Sequence, residues 1–349
     1  MDRFHRILVA ASPGRLEPLT LRTAVKLANA NDAQLTVLDV VAPLPPWHKK
    51  VNVEGRIIGF EAALLHDRQE RLRHMVENTP GGGDSEAIVT VGEPFLEVIR
   101  HVLAHGHDLV MLGEPEVNRA AVPQLSGGVM HVLRKCPTPV WVMYPSRARK
   151  LRILALIDPD PSDPVRDGLN DLVMELATSL TLRQNGELHV GHAWTLDGEA
   201  TVPTSPYVEL SGGIVDVMVR ETEAATRDQL NVLAERHSVG ELGGAIHMVS
   251  GEPGVVLPRL ADRLDIGLIV VGTVGRTGLR GLIMGNTAET ILRSVHCSVL
   301  AVKPEGFVTP VKPQRRSSPR AQDRIRARGS LPGRWGISTT AAECLARGN

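Results

Sequence analysis

The stretch VVGTVGRTGLRGLIMGNTAETIL, residues 270–292, places glycines at 272, 275, 278, 281 and 285 directly behind a short apolar run. Glycine lets successive backbone N–H groups turn inward into a concave nest. A helix starting just beyond adds its dipole and its unpaired amides. The chemistry such residues can do is to hold an anion, above all a phosphate. The alternative for the same residues is a flexible surface loop. Gly272 and Gly275 would let backbone come close to a ligand, and Gly285 would open the helix so that the N–H groups of Asn286 and Thr287 meet phosphate oxygens. The Thr287 hydroxyl fits two roles, a hydrogen bond to the ligand or a place at the helix cap or first turn. Arg276 and Arg280 flank the ladder and either neutralise bound charge or are solvated.

Other chemistries lack their residues. The chain has no Gly-Lys pair, no G-x-G-x-x-G and no G-x-S-x-G, which excludes a P-loop and removes the dinucleotide fingerprint and the hydrolase elbow. His101 and His105 stand at i, i+4 with His107 nearby, but without a glutamate or a fourth ligand, and the helix is expected to end at Gly106. A polar helix end is favoured there over a metal pair. Cys136 and Cys297 read as core or near-core thiols.

The elements that must position the ladder are written twice. RILVAASP at 6–13 returns as RILALIDP at 152–159, AQLTVLDV at 33–40 as GELHVGHA at 186–193, and VGEPFLEVI at 91–99 as SGEPGVVLP at 250–258. The offset grows from 146 (152 minus 6) to 153 (186 minus 33) to 159 (250 minus 91), then holds, so LVMLG at 109–113 matches LIVVG at 268–272. The second copy carries longer loops and the same order of elements. Within it, apolar strands alternate with helical patterns at 164–180, 219–237, 254–264 and 286–295. That alternation predicts βαβ crossovers and a doubly wound parallel sheet of five strands in each half, with about four helices. Ligands of such sheets sit at the carboxyl ends of the strands near the reversal of strand order, where the ladder falls.

The 349 residues carry 39 basic and 39 acidic side chains and are 42% hydrophobic, the balance of a soluble globular protein. Zero net charge argues against wholesale nucleic-acid binding, no apolar run reaches a spanning length, and the N-terminus enters a strand pattern without a signal-peptide core. Three cysteines without C-x-x-C spacing fit a reduced cytoplasm. The expected domains are residues 1–148, 149–304 and a basic tail, 305–349, rich in Pro, Gly, Ser and Arg. The tail reads as disordered, with at most weak contact to nucleic acid or an acidic partner.

The G-x2-G-x9-G pattern of Gly272, Gly275 and Gly285, followed by NTAE, resembles the nucleotide signature of the universal stress protein family, in its tandem-domain, E-type form. HVLRKCPTPVWVM at the close of the first half is similar to that form as well. The resemblance covers residues 3–304. It implies an adenine-nucleotide-binding α/β fold serving stress survival, usually without a defined catalytic reaction. It also implies ATP with Mg²⁺ or Mn²⁺ bridging the phosphates, and an internal pseudo-dimer of the halves, compatible with a further homodimer. By the same resemblance Asp158, ending the first strand of the second half, contacts the adenosine, or else begins an Asp-Pro turn. The backbone of Ala193 would meet the adenine. Asn286 stands where the family has Ser or Thr. The first half departs further: Ser12 replaces Asp158, and at an offset of 159 Gly275, Gly278 and Gly285 fall on Glu116, Arg119 and Ser126, leaving Gly113 alone. A carboxylate at 116 would repel phosphate. The expectation is one ATP per chain, in the second half, acting as a regulatory module. A slow ATP-hydrolysing or adenylating enzyme and a scaffold for another ligand are the alternatives.

Overall fold

The first strand, β1 (Arg6–Ala10), shows why these runs are apolar throughout: Ile7 and Val9 enter one core and Leu8 and Ala10 the other, so both faces are covered. The computed structural model describes residues 4–11, 16–49, 51–53, 56–114, 125–145, 150–160, 163–194, 212–273 and 284–313. The first half continues with α1 (Pro18–Asn31), β2 (Gln34–Val41), a short hairpin of β3 (Val51–Val53) and β4 (Arg56–Ile58), and α2 (Phe60–Glu77). It ends with β5 (Glu86–Val91), α3 (Pro94–His105), β6 (Leu109–Gly113), α4 (Gly127–Lys135) and β7 (Val140–Met143). The second half has β8 (Arg152–Leu156), α5 (Pro164–Gln184), β9 (Glu187–Trp194), α6 (Gly212–Arg236) and β10 (Ile246–Ser250). Then follow α7 (Pro253–Arg263), β11 (Leu268–Gly272), α8 (Asn286–Ser294) and β12 (Ser298–Val302).

The expected two parallel sheets are joined into one. Its ten strands run β10-β9-β8-β11-β12-β7-β6-β1-β2-β5, every pair parallel except β12 with β7. In that seam Val299 faces Val142, Leu300 faces Trp141 and Ala301 faces Val140, all buried. A terminal strand presents a row of unpaired N–H and C=O groups, and each half satisfies the other's row. Helices α1, α2, α5 and α6 supply side chains to one core and α3, α4, α7 and α8 to the other, and each core holds residues of both halves. The two repeats therefore share a core on each face of the sheet, as an internal pseudo-dimer.

Local signals set the helices that frame the ladder. Asp163 caps α5, accepting from the N–H groups of Val165 at 3.1 Å and Arg166 at 3.2 Å, with Pro164 in the first turn. At its far end Asn185 adopts the left-handed conformation, φ 49°. The compact unit runs past residue 304 to Lys312, with Val311 buried in the core. Pro313–Asn349 divide off as a second unit, and the rest of the tail from 314 lies outside the described residues. Among the described residues no helix is long and apolar enough to cross a membrane.

Candidate functional site

In the second half β8 lies between β9 and β11, and the direction of winding reverses there. The carboxyl ends of these three strands carry Asp158, Ala193 and Gly272, so the sheet brings three of the sequence-selected positions to one edge. Asp158 follows β8 by two residues. Its backbone is clasped by the buried Asn170 of α5, whose Oδ1 accepts from the Asp158 N–H at 3.1 Å and whose Nδ2 donates to the Asp158 carbonyl at 3.0 Å. Its carboxylate shares Arg166 with two others: Arg166 lies 3.5 Å from Asp158, 2.9 Å from Asp160 and 3.6 Å from Asp163. A cation in the first turn of a helix opposes the dipole, and these three carboxylates offset that. The Asp158 side chain stays 45% exposed, against 15% for Arg166, so it keeps a face open to a ligand.

Ala193 lies beyond the end of β8. The last β8–β9 pair is Leu156 with Gly191, extended by the Ile157 N–H donating to the Gly191 carbonyl at 3.1 Å. Alternate residues of a strand direct their backbone groups the same way. Ala193 therefore directs its N–H and carbonyl toward the space past β8. The neighbouring His192 is buried and its Nδ1 lies 2.9 Å from the Ile157 carbonyl.

Gly272 has a reason of its own. A Cβ there would stand 2.6 Å from Leu169 Cδ2, so the glycine admits α5 against the strand end. The same holds at its counterpart Gly113, where a Cβ would meet Thr20 Oγ1 at 2.5 Å and Glu17 Cβ at 2.8 Å. Close helix packing thus accounts for the one ladder glycine that both halves keep. Gly275 and Arg276 lie outside the described residues.

Thr273, which the sequence reading passed over, pins both ends of the ladder. It is fully buried; its N–H and Oγ1 donate to the Val302 carbonyl at 2.9 and 3.1 Å, and its own carbonyl accepts the Gly285 N–H at 2.9 Å. Gly285 is the cap of α8 and supplies no side-chain hydrogen bond. Asn286 and Thr287, the first two helical residues, are exposed. Thr287 is thus a first-turn residue and not the cap. Among the described residues no side chain caps the start of α8, an arrangement suited to receiving anions.

The first half fills the same place with its own atoms. Counting back 159 residues, Thr273 becomes Glu114, Gly285 becomes Ser126 and Lys303 becomes Tyr144. Ser126 caps α4, its Oγ accepting from the Val129 N–H at 3.3 Å while donating to Glu114 Oε1 at 3.2 Å. Glu114 is buried; burial pushes its carboxyl up, and the bonds from Ser126 partly counter this. A carboxylate therefore stands against the start of α4, in the role the sequence gave to Glu116. Ser12, Glu116 and Arg119 lie outside the described residues.

The remaining candidates are structural. α3 ends at Gly106, which has φ 67°. The His101 and His105 rings stack at 4.1 Å, with His107 at 5.1 Å from His101. Among the described residues no group of three or more His, Cys, Asp or Glu could hold a metal ion. Burial pushes the Cys136 thiol up to about 12, which suits a core residue and not a nucleophile.

Comparison with known proteins places these features. Residues 3–143 and 152–303 both match the model of the universal stress protein family. Universal stress protein E of Escherichia coli K12 is 30% identical over 325 residues, covering 89% of this chain and 98% of the relative. The universal stress protein E homolog of Haemophilus influenzae is 25% identical over 313 residues, covering 86% and 98%. Among solved structures, a functionally unknown protein from Pseudomonas aeruginosa PAO1 superposes with a TM-score of 0.64 at 24% identity, covering 87% of this chain and 94% of the other. A universal stress protein from Archaeoglobus fulgidus gives 0.58 at 17%, covering 85% and 98%.

Proposed function

The chain belongs to the universal stress protein family, and on that footing we propose that it is a cytoplasmic stress-response module whose second half binds one ATP. The observation that carries the reading is the contrast between the two equivalent helix starts. The α8 start has a glycine cap and, among the described residues, no side-chain cap bond, whereas the α4 start is met by Ser126 and Glu114. In this reading the triphosphate lies at Gly285, Asn286 and Thr287, the Asp158 carboxylate accepts from ribose hydroxyls, and the Ala193 backbone meets the adenine edge. Gly275 and Arg276 complete the phosphate side.

A Mg²⁺ or Mn²⁺ ion would arrive with the nucleotide and be held chiefly by phosphate oxygens, since among the described residues no group of three or more His, Cys, Asp or Glu could hold a metal ion. In this reading the chain's own residues bind and orient the nucleotide. ATP occupancy is the signal, and turnover is slow or absent. Equilibrium dialysis with labelled ATP, followed by chromatography of the recovered nucleotide, tests both parts. Retained, intact ATP supports the module. Release of ADP at a steady rate would make the protein an ATPase, and no retained label would remove the nucleotide from the account.

A further inference from the structure

Helix α4 of the first half reaches the ladder of the second half twice. Arg134, next to the last residue of α4, donates from Nε to Glu289 Oε2 at 3.2 Å and from Nη2 to Glu289 Oε1. Glu289 lies in the first turn of α8 and also receives Arg293; the bond from Arg134, foremost, holds its carboxyl below the usual carboxylate range. The preceding residue, Leu133, has a carbonyl that α4 cannot satisfy, because the residue four places on is Pro137, which has no N–H. Lys303 fills that vacancy from the other half, its Nζ donating to the Leu133 carbonyl at 2.6 Å and to Thr273 Oγ1 at 2.6 Å.

These contacts close a ring. Glu289 on α8 joins Arg134 on α4, the adjacent Leu133 joins Lys303, Lys303 joins Thr273, and Thr273 joins Gly285, the cap of the same α8. Lys303 is only 6% exposed. A buried ammonium is costly where an apolar side chain of like volume would serve, so what its bonds supply is geometry. The second half does not return the arrangement: Tyr144 occupies the Lys303 position, and its hydroxyl is buried with no hydrogen-bond partner.

We propose that Arg134 and Lys303 are positioning residues through which the first half holds the start of α8 in its anion-receiving pose, so that occupancy of the site is felt at the end of α4. The degenerate half is then a holder and receiver, its own site closed. The ligand-dependent part rests on the nucleotide reading; the holding part does not. Coupling is reciprocal: what fixes α8 for the ligand is fixed in turn by the ligand.

The test uses the full chain and two readouts. Hydrogen exchange without nucleotide reads the amides of Gly285 and Glu289, which bond to the Thr273 and Gly285 carbonyls. Arg134→Met and Lys303→Met are expected to speed their exchange about fivefold or more, with Arg134→Lys restoring most of the protection. Arg236→Met, which removes the exposed pair with Asp171 elsewhere on the surface, is expected to leave them unchanged. Calorimetry with ATP and Mg²⁺ is expected to show about tenfold weaker binding in the two Met variants, and bound nucleotide is expected to protect the amides of residues 133–136. Arg134 is one-third exposed, so its variant keeps the proposal testable even where Lys303→Met fails to fold. Unchanged exchange at Gly285 and Glu289 in both variants overturns the proposal, even with ATP bound normally. Faster exchange in a protein that binds no ATP supports the holding role and removes the nucleotide reading instead.

Discussion

The starts of α4 and α8 occupy equivalent places in the two repeats, and their chemistry is opposite. At α4 the hydroxyl of Ser126 satisfies a backbone amide and the carboxylate of Glu114 stands where an anion would dock. At α8 the corresponding residues are Gly285, which supplies no side chain, and Thr273, whose hydroxyl is turned to Val302 and Lys303. Among the described residues, one copy thus sets a buried carboxyl group against its helix cap where the other has a threonine. The glycine that ends the preceding strand, Gly113 or Gly272, is common to both because a helix packs on it. The two helix starts differ in the residue after that glycine and in the helix cap.

The largest expected effect comes from exchanging those two residues. Thr273→Glu with Gly285→Ser copies the first half into the second, and ATP binding measured by calorimetry should weaken at least about 100-fold, because like charges brought together cost several kcal/mol. Folding should persist, since Glu114 and Ser126 already occupy these positions in the same fold. Retained affinity in the double variant would break the comparison.

A second contrast concerns acid. His101 and His107 of the first half correspond to Leu260 and Ile266 of the second, all four in like positions of α3 and α7 and the turns that follow. Burial, foremost, lowers both histidines from 6.5 to about 4. A folded pKa below the unfolded one means that the unfolded chain binds more protons between these values. Stability is therefore full above about 6.5 and falls as the pH drops toward about 4. His101→Leu with His107→Ile should abolish that loss, on the order of several kcal/mol, in thermal melts taken at neutral and acid pH. Parallel pH profiles of the variant and the parent would contradict the assignment.

Asp158→Asn should weaken ATP binding by about tenfold without moving the melting temperature much, because the amide still accepts a hydrogen bond and Arg166 keeps Asp160 and Asp163. The smallest effect is at Glu114. Its carboxyl is raised by burial, so the folded state binds more protons than the unfolded one above the ordinary carboxylate range, and its deficit in stability grows as the pH rises through the folded value. Glu114→Gln should raise neutral-pH stability slightly and change nothing once the pH is low enough to protonate the acid. A destabilised variant at neutral pH would mean that the charge at α4 is favoured by the helix dipole more than burial opposes it.

Much of this was readable in the sequence. The shifted repeat carries the five main-sheet strands and four helices of each half but not the β3–β4 hairpin, and Gly285 stands at the opening of α8 as expected. The seam was not readable: β7 and β12 are apolar runs like their neighbours, and nothing in VWVM or SVLAV says which strand will pair outward. The packing reason for Gly272 was not readable either, because Leu169, the side chain that needs the space, lies far away in sequence. Glu114 was missed for a related reason. The charge that the glycine pattern points to is Glu116, while the buried carboxyl group stands where the second half has a threonine. Arg166 left a trace, a cation in the first turn of a helix behind DPDPSDP, where the dipole disfavours it. Lys303 left none, since a lysine ending a strand normally reaches solvent.

The asymmetry between the two helix starts is tested most directly by the stoichiometry of ATP with Mg²⁺ on the unmodified full chain, read by titration calorimetry and by native mass spectrometry of the same sample. The account predicts a single nucleotide per chain, lost in the Thr273→Glu, Gly285→Ser variant and kept in Glu114→Gln. Two equivalent nucleotides per chain, or one that survives the double substitution, would contradict it.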